Sequence, residues 1–382
     1  EGTTNTLIGY DNANRRSTLT LPNGIVLTYG YDPASRINSM SYQLGTTSVG
    51  SLTYLYDAAG RRTQVGGSLA ATGFPQAVSS ATYDAANELT NWNGTTISYD
   101  NNGNIQNDGM AAYTWNGRNQ LVSRGVMTFQ YDALGRRALN GTGSSLLYEG
   151  RNVAQELFGS PTANRIVGGI DEFFGRTDST GTYSPITDAL GSILSLTNSA
   201  GVIATQYAYD PYGNTVGSGA TSTNVFQYTG RENDQNGLYY YRARYYSPQF
   251  GRFISEDPAE YGGGDANLYR YALGSPTVFR DPSGLTVSCT YSISARSLIC
   301  ISDDTGKTVV NTTVYSGNGP GLNNPNMANV PNVGPIPPGT YDIGNGVDSL
   351  HTGLVSLPLT PDSGTNTSVS YTHLTLPTIL RV

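Results

Sequence analysis

Two Asp-Pro pairs are the residues in this 382-residue chain whose chemistry is easiest to define. Asp257-Pro258 and Asp281-Pro282 each place a carboxylate before a proline, which biases the preceding residue toward extended backbone. Two carboxylates within about 3 Å of each other cannot both ionise, so one keeps a proton while the other acts as a base. Such a pair can activate a water molecule against a peptide carbonyl, as in aspartic proteases. Most Asp-Pro pairs only start turns, and that structural interpretation stays open.

A repeated Tyr-Asp dipeptide indicates the elements that must position these carboxylates. Several copies continue as Tyr-Asp-x-x-Gly followed by Arg or Asn. The pattern predicts a tyrosine at a strand end, an aspartate bonded to backbone two residues on, and a glycine with positive φ. An arginine after the turn can lie over the tyrosine of a neighbouring hairpin. The copies are Tyr10-Asp11, Tyr31-Asp32, Tyr56-Asp57, Tyr83-Asp84, Tyr99-Asp100, Tyr131-Asp132 and Tyr209-Asp210.

The segments between the copies predict strands. Residues 24–29 and 126–131 alternate apolar and polar side chains, which is typical of strands with one buried face. One hairpin cannot bury its own face, so we expect stacked hairpins in a continuous curved sheet. The 47 glycines and 28 tyrosines agree with an all-β fold of short strands and tight turns.

The overall charge and hydropathy exclude some functions. Lys and Arg number 21 against 28 Asp and Glu, giving a net charge of −7, which argues against a general grip on nucleic-acid phosphates. No run of roughly 18 apolar residues predicts a transmembrane helix. There is no initiator Met and no signal-peptide pattern at Glu1, so we expect the chain to be a fragment.

A second set of motifs carries a family resemblance. Together with the Tyr-Asp repeats, these motifs resemble RHS/YD-repeat polymorphic toxins and their RHS-associated core. The resemblance implies a cocoon-like β-shell over 1–225, a core over 226–285 and a toxin domain that follows over 286–368. The motifs are FQYTGRE at 226–232, GLYYYRARYY at 237–246, GRFISEDP at 251–258 and DPSGL at 281–285.

The resemblance assigns chemistry to the two Asp-Pro pairs. In RHS proteins such a pair cuts the chain after the leucine of a closing Asp-Pro-x-Gly-Leu, which implies cleavage between Leu285 and Thr286 here. It implies Asp257 and Asp281 as catalytic residues. It also implies Arg252, which precedes the first pair, as an orienting cation.

The first Asp-Pro motif departs from the family pattern of Asp-Pro-x-Gly. Ala259-Glu260 follows Pro258, and three glycines occupy 262–264. We expect the extra carboxylate of Glu260 to disturb the shared proton and slow cleavage.

The segment after the core resembles L,D-transpeptidase-like amidase effectors of type VI secretion. The resemblance rests on the Ser-Gly at Ser316, an Asn-rich loop and the turn Pro337-x-Gly339-x-Tyr341. It implies attack by a cysteine on peptidoglycan stem peptides, assisted by a histidine. The family's His-Gly and Ser-x-Gly-Cys segments are missing, and we interpret His351 as an ordinary strand or surface histidine. We therefore expect this toxin domain to be truncated and inert.

Residues 287–301 predict a β-hairpin and 307–315 a further strand, with another strand starting at Tyr341. Cys289 and Cys300 are either ordinary strand thiols or a cross-strand disulfide. They lie directly opposite each other if the turn centres on Ser294 and Ala295.

The last residues, 369–382, do not continue the preceding pattern. Residues 369–378 equal the translation of GTC TCT TAT ACA CAT CTG ACG CTG CCG ACG, which resembles a transposase sequencing adapter. We interpret this segment as a library artefact and exclude His373 as a catalytic candidate.

The resemblance also implies partners. These are the chain's own toxin cargo inside the shell, an immunity protein, a secretion-system spike and peptidoglycan as target, with no cofactor, metal or nucleic acid expected. It implies secretion or cell-surface display and delivery to a neighbouring cell, into the periplasm if the cargo attacks peptidoglycan. The alternative is a cell-surface YD-repeat protein for adhesion or carbohydrate binding, with no toxin.

Overall fold

The computed structural model describes residues 5–13, 15–58, 60–71, 73–169, 171–258 and 267–285, and the backbone of seven strands beyond them. Among these residues there is no α-helix, only short 3-10 turns at Tyr228–Gly230 and Ala272–Gly274. The prediction of an all-β fold is confirmed. No helix in this described part is long and apolar enough to cross a membrane.

Residues 5–219, the repeat region, form antiparallel sheets whose strands follow chain order. The first sheet contains β1 (Leu7–Tyr10), β2 (Arg16–Thr20), β3 (Val26–Tyr31), β4 (Ile37–Leu44), β5 (Thr47–Tyr56) and β6 (Arg62–Gly66). Three small sheets follow: β7 (Ala81–Tyr83), β8 (Leu89–Trp92) and β9 (Thr95–Thr96); β10 (Ser98–Tyr99) and β11 (Ile105–Asn107); β12 (Tyr113–Trp115), β13 (Leu121–Arg124) and β14 (Met127–Thr128). The longest sheet contains β15 (Gln130–Tyr131), β16 (Arg137–Leu139), β17 (Ser145–Glu149), β18 (Asn152–Phe158), β19 (Ser160–Val167), β20 (Phe173–Asp178), β21 (Gly181–Thr187), β22 (Ile193–Thr197), β23 (Ile203–Tyr209) and β24 (Thr215–Gly219).

Residues 226–285, the core region, contain one small antiparallel sheet. Its strands are β25 (Glu232–Asn233), β26 (Tyr239–Tyr241), β27 (Arg244–Ser247) and β28 (Arg252–Phe253). The chain beyond has a sheet of β29 (Ser288–Ser292), β30 (Ser297–Ile301) and β31 (Thr308–Thr313). A further sheet, in which β34 pairs with the other three strands, contains β32 (Tyr341–Ile343), β33 (Val347–Asp348), β34 (Val355–Pro361) and β35 (His373–Thr375).

Each Tyr-Asp dipeptide ends a strand and starts a turn, as predicted: β1, β3, β5, β7, β10, β15 and β23 all end on its tyrosine. In the first copy the Asp11 carboxylate accepts hydrogen bonds from the backbone N–H groups of Ala13 (2.8 Å) and Arg15 (3.0 Å). The turn glycine takes a positive φ, for example +78° at Gly135. Residues that carry a Cβ rarely adopt this backbone conformation.

The arginine after the turn connects successive repeats. The Arg15 guanidinium donates to Asp11 over 2.8 Å and lies 4.3 Å from the ring centroid of Tyr31 in the next copy. Arg36 lies 4.6 Å from the Tyr56 ring in the same way. The predicted stacking of arginine on a neighbouring tyrosine is confirmed, and it adds a cation–π contact to each such link.

The hairpins do not all join one continuous sheet. Residues 126–131, expected as a single strand, divide at Phe129 into β14 and β15, which belong to different sheets. Phe129 is buried, and its ring centroid lies 5.5 Å from that of Tyr245 in the core region. Burial of this ring contributes roughly 1.5–3 kcal/mol, so packing on the core overrides sheet continuity here.

Apolar residues of the repeat region pack against tyrosines of the core region in two clusters. Fully burying an apolar side chain contributes roughly 1.5–3 kcal/mol relative to leaving it exposed, so the core region holds the sheets of the repeat region together. The first cluster includes Ile25, Leu27, Leu52, Tyr241, Tyr246 and Phe253. The second includes Leu89, Ile105, Leu121, Tyr240, Tyr245 and Phe250.

The strands predicted beyond the core are confirmed. β29 and β30 form the hairpin, β31 follows within 307–315, and β32 begins at Tyr341. The register places Cys289 opposite Cys300, while the disulfide itself stays a prediction. Glu260, the glycines at 262–264 and His351 lie outside the described residues.

Candidate active site

The closing segment 281–285 lies against the turn between β26 and β27. The Ala243 N–H donates to the Ser283 carbonyl over 3.1 Å, and Arg244 Nε donates to the Gly284 carbonyl over 2.6 Å. Gly284 has a φ of +68°, and a Cβ there would lie 2.2 Å from the Tyr241 carbonyl oxygen. Only glycine permits this approach, so the Gly of the motif lets the segment dock on the hairpin.

Asp257 reaches the same place from the end of β28. Its backbone N–H donates to the Leu268 carbonyl over 2.9 Å, and its Oδ2 lies 2.6 Å from Arg244 Nη2. The same nitrogen lies 3.6 Å from Oδ2 of Asp281. Arg244 therefore bridges the two aspartates that the sequence analysis paired.

The Arg244 guanidinium is fixed on all sides. Its side chain is 2% exposed, Nη1 donates to the Leu268 carbonyl over 3.0 Å, and the group lies 3.7 Å from the Phe253 ring centroid. Removing a cation from water costs several kcal/mol unless charges and hydrogen bonds replace the water. The two carboxylates and two carbonyls supply that replacement.

The electrostatics of the pair favour one retained proton. Burial raises the pKa of Asp281, Arg244 opposes that rise, and the nearby charge of Asp257 raises the pKa further. The net direction is upward from the ordinary aspartate value. With one proton on the pair, a single negative charge faces a single guanidinium, which is the arrangement that a buried site tolerates best.

The Asp281 carboxylate also contacts Leu285, the residue that precedes the bond expected to be cut. The backbone N–H of Leu285 donates to Asp281 Oδ1 over 3.2 Å. The Ser283 hydroxyl lies 3.3 Å from the same oxygen and donates to the Leu285 carbonyl. The site thus combines two carboxylates, a cation and a hydrogen-bonded peptide carbonyl.

Arg252, the expected orienting cation, lies elsewhere. Its Nη2 donates to the backbone carbonyl of Asn87 over 2.5 Å. Its guanidinium lies 4.6 Å from the ring centroid of Tyr269 and 5.3 Å from that of Tyr83. These contacts link the core region to the small sheet that begins at β7.

Of the predicted residues, the structure brings together Asp257, Asp281 and Leu285, and it places Arg244 where Arg252 was expected. Arg244 was not singled out from the sequence, because the resemblance implied the arginine that precedes the first Asp-Pro pair, Arg252. The antiparallel pairing of β27 with β28 carries the more distant arginine to the aspartates. Arg244 lies in the GLYYYRARYY motif at 237–246, but nothing in that motif distinguishes it from Arg242 or from Arg252 as the partner of the aspartates.

A buried ionic cluster holds the turn from the other side. Asp171 of the repeat region pairs with Arg231 and with Arg242, whose Nη2 lies 2.6 Å away. Arg242 also donates to the Pro282 carbonyl. Burial opposes ionisation of Asp171, but the guanidinium groups of Arg231 and Arg242 hold its pKa below the ordinary value.

A cavity of about 380 Å³ borders Leu285. Its apolar lining includes Phe173, Phe226 and Tyr240, and its charged lining consists of four arginines and one glutamate, Arg136, Arg151, Arg231, Arg242 and Glu232. Leu285 therefore borders a cavity whose surface is mostly apolar and whose charged residues are mostly arginines. In the described residues no group of three or more His, Cys, Asp or Glu side chains is arranged to hold a metal ion.

Two family descriptions match this chain. Residues 8–144 match the Teneurin YD-shell family, and residues 311–361 match the Tlde1 domain. The first match falls within the repeat region. The second falls in the segment that resembles L,D-transpeptidase-like effectors and includes Pro337, Gly339 and Tyr341.

Relatives and solved structures agree with the shell. The tRNA3(Ser)-specific nuclease WapA of Bacillus spizizenii is 31% identical over 255 residues, covering 61% of this chain and 11% of that protein. The double-stranded DNA deaminase toxin A of Burkholderia cenocepacia is 28% identical over 377 residues, covering 80% of this chain and 25% of that protein. The crystal structure of TcdB2-TccC3 shares the fold at a TM-score of 0.53 and 20% identity, over 73% of this chain and 20% of that one.

The fold, the repeats and these matches show a YD-repeat β-shell that is similar to the shells of RHS-type toxins. The chain spans a small part of the relatives that it matches, 11% of the first and 25% of the second.

Proposed function

We propose that this site cuts its own chain between Leu285 and Thr286. The observation that carries the proposal is the Arg244-bridged pair of aspartates, one of which accepts a hydrogen bond from the Leu285 N–H. Asp257 has the shorter contact with Arg244 and serves as the base. Asp281, whose pKa burial raises, serves as the acid.

The reaction is a hydrolysis. Asp257 takes a proton from water as the water oxygen bonds to the Leu285 carbonyl carbon, and Asp281 gives its proton to the carbonyl oxygen. The C–N bond then breaks as the Thr286 nitrogen takes the proton from Asp257. One hydroxyl proton of the tetrahedral carbon returns to Asp281. The products are a carboxyl group at Leu285 and an amino group at Thr286.

Intact mass spectrometry of the full chain tests this function. We expect two pieces split after Leu285, with Thr286 as a new amino terminus. Asp257→Asn and Asp281→Asn keep the side-chain size but cannot share the proton, so each should leave the chain uncut. Asp132→Asn, in a repeat turn, is the matched control and should be cut normally. An uncut wild-type chain, or equal cutting in all three variants, would overturn the proposal.

We further propose that the shell encloses the segment after Leu285 as a toxin cargo that acts on peptidoglycan. The resemblance of the Pro337-x-Gly339-x-Tyr341 turn to L,D-transpeptidase-like effectors supports a wall-targeting cargo, and this turn lies within the segment 311–361 that matches the Tlde1 domain. This proposal includes delivery to a neighbouring cell by a secretion-system spike, an immunity protein as partner, and action of the cargo in the periplasm. The adapter origin of 369–382 belongs to it as well. Reading source DNA across codon 368 should give a different continuation containing His-Gly and Ser-x-Gly-Cys.

A nucleic-acid target is the second candidate. Two relatives with a similar shell are named as a tRNA nuclease and a DNA deaminase toxin. Similar shells carry different cargo activities, so likeness in the shell does not assign the target. The complete cargo should release stem-peptide products from peptidoglycan and leave tRNA and duplex DNA intact. The reverse result would favour the second candidate.

A further inference from the structure

The hydroxyl group of Ser283 occupies a position that the acid–base pair does not account for. It lies two residues before the bond expected to be cut, and Ser283 Oγ donates to the carbonyl oxygen of Leu285 at 2.5 Å. The Leu285 N–H lies 3.2 Å from the same Oγ. The hydroxyl therefore contacts both ends of the Leu285 backbone.

The direction of the short contact is fixed by its chemistry. A carbonyl oxygen only accepts hydrogen bonds, so the Ser283 hydroxyl must donate its single hydrogen to Leu285. The alternative acceptor, Asp281 Oδ1, lies farther away at 3.3 Å. A donor aimed at a carbonyl gains strength when that oxygen becomes negatively charged.

The turn has several hydrogen bonds besides those of the Ser283 hydroxyl. Three other donors fix the same segment: the Ala243 N–H on the Ser283 carbonyl, Arg244 Nε on the Gly284 carbonyl, and Arg242 on the Pro282 carbonyl. The Ser283 side chain adds a contact to the reacting carbonyl instead.

We infer that Ser283 is a third catalytic residue, a donor to the Leu285 carbonyl oxygen, on which negative charge builds as water adds and until the Asp281 proton reaches it. The inference rests on the proposed self-cleavage and names a residue of the same site. The water proton still goes to Asp257, and the C–N bond still breaks with the Thr286 nitrogen protonated. Ser283 keeps its own proton throughout and lowers the barrier by hydrogen bonding alone.

Ser283→Ala and Ser283→Thr in the full chain test the inference. Removing one donor to such an oxygen typically slows the reaction by about 10²–10³-fold, so the Ala variant should be slow, and the hydroxyl of Thr should restore most of the rate. Because a lost donor does not change which groups titrate, the cleavage–pH profile of the Ala variant should keep its midpoints. Stability is compared in the Asp281→Asn background, in which the chain is expected to stay uncut. There, adding Ser283→Ala should leave the melting temperature unchanged.

The outcomes separate this inference from the function on which it rests. A wild-type chain that is cut, with Ser283→Ala cut equally fast, overturns the role of Ser283 and leaves self-cleavage standing. A slow Ala variant with shifted pH midpoints or a lower melting temperature shows a structural role and also overturns it. A Ser283→Thr variant that is cut slowly but melts normally also overturns the role of the Ser283 hydroxyl. A wild-type chain that is never cut overturns both.

Discussion

Replacing Arg244 by lysine tests which cation serves the aspartates. Lysine keeps the positive charge but replaces a planar fork of donors with one ammonium group. The guanidinium reaches Asp257, Asp281 and the carbonyls of Gly284 and Leu268 at 2.6, 3.6, 2.6 and 3.0 Å. A single ammonium cannot occupy three nitrogen positions, so at least one of these contacts is lost.

The structure sets the size of the effect. A hydrogen bond to a charged group contributes roughly 1.5–3 kcal/mol. Loss of one such contact from the transition state therefore slows cleavage by about 10- to 100-fold, since each 1.36 kcal/mol is tenfold in rate. Loss of two contacts multiplies the effect.

Arg252→Lys is the matched control, because Arg252 is also buried and also stacks on aromatic rings, at 4.6 Å from Tyr269. Pulse-labelled cell-free synthesis, followed by separation of cut and uncut chains, gives the cleavage rate of each variant. We expect Arg244→Lys to be slow and Arg252→Lys to stay within a few-fold of wild type. Wild-type cutting by Arg244→Lys, or loss of cutting only in Arg252→Lys, would refute the assignment.

Two further predictions concern the same site. Because burial raises the pKa of Asp281, that acid keeps its proton above the ordinary aspartate range, and cleavage should slow as pH rises through the raised pKa. The contribution of Asp281 to folding stability is fully present below the pKa of an unfolded aspartate and is lost as pH rises through the raised pKa of the folded protein. A cleavage rate that does not change between acidic and neutral buffers would contradict the role of Asp281 as the acid. Leu285→Met should be cut normally and Leu285→Lys slowly, because Leu285 borders a cavity that is largely apolar and whose charged residues are mostly arginines, which repel a second cation. Equal rates for the two variants by mass spectrometry would show that this lining does not matter.

Local sequence determined the repeating turns. Tyr, Asp, Gly and Arg within six residues are enough to end a strand, bond the backbone, reverse the chain and start the next strand. These are short-range effects, so each Tyr-Asp copy could be interpreted alone. The strand ends at Tyr10, Tyr31 and Tyr209 are where the pattern predicts them. The cysteine register of β29 and β30 followed from one hairpin in the same way.

Only the tertiary structure decided which charges meet. Asp257 and Asp281 could be paired in advance because their motifs resemble a known arrangement, whereas Arg244 and Arg252 are chemically alike and both stand in quoted motifs. Strand pairing carries Arg244 to the aspartates and leaves Arg252 beside the Asn87 carbonyl. Ion pairing depends on distances across strands and turns. Sequence patterns fix periodicity along one strand, and they do not fix those distances.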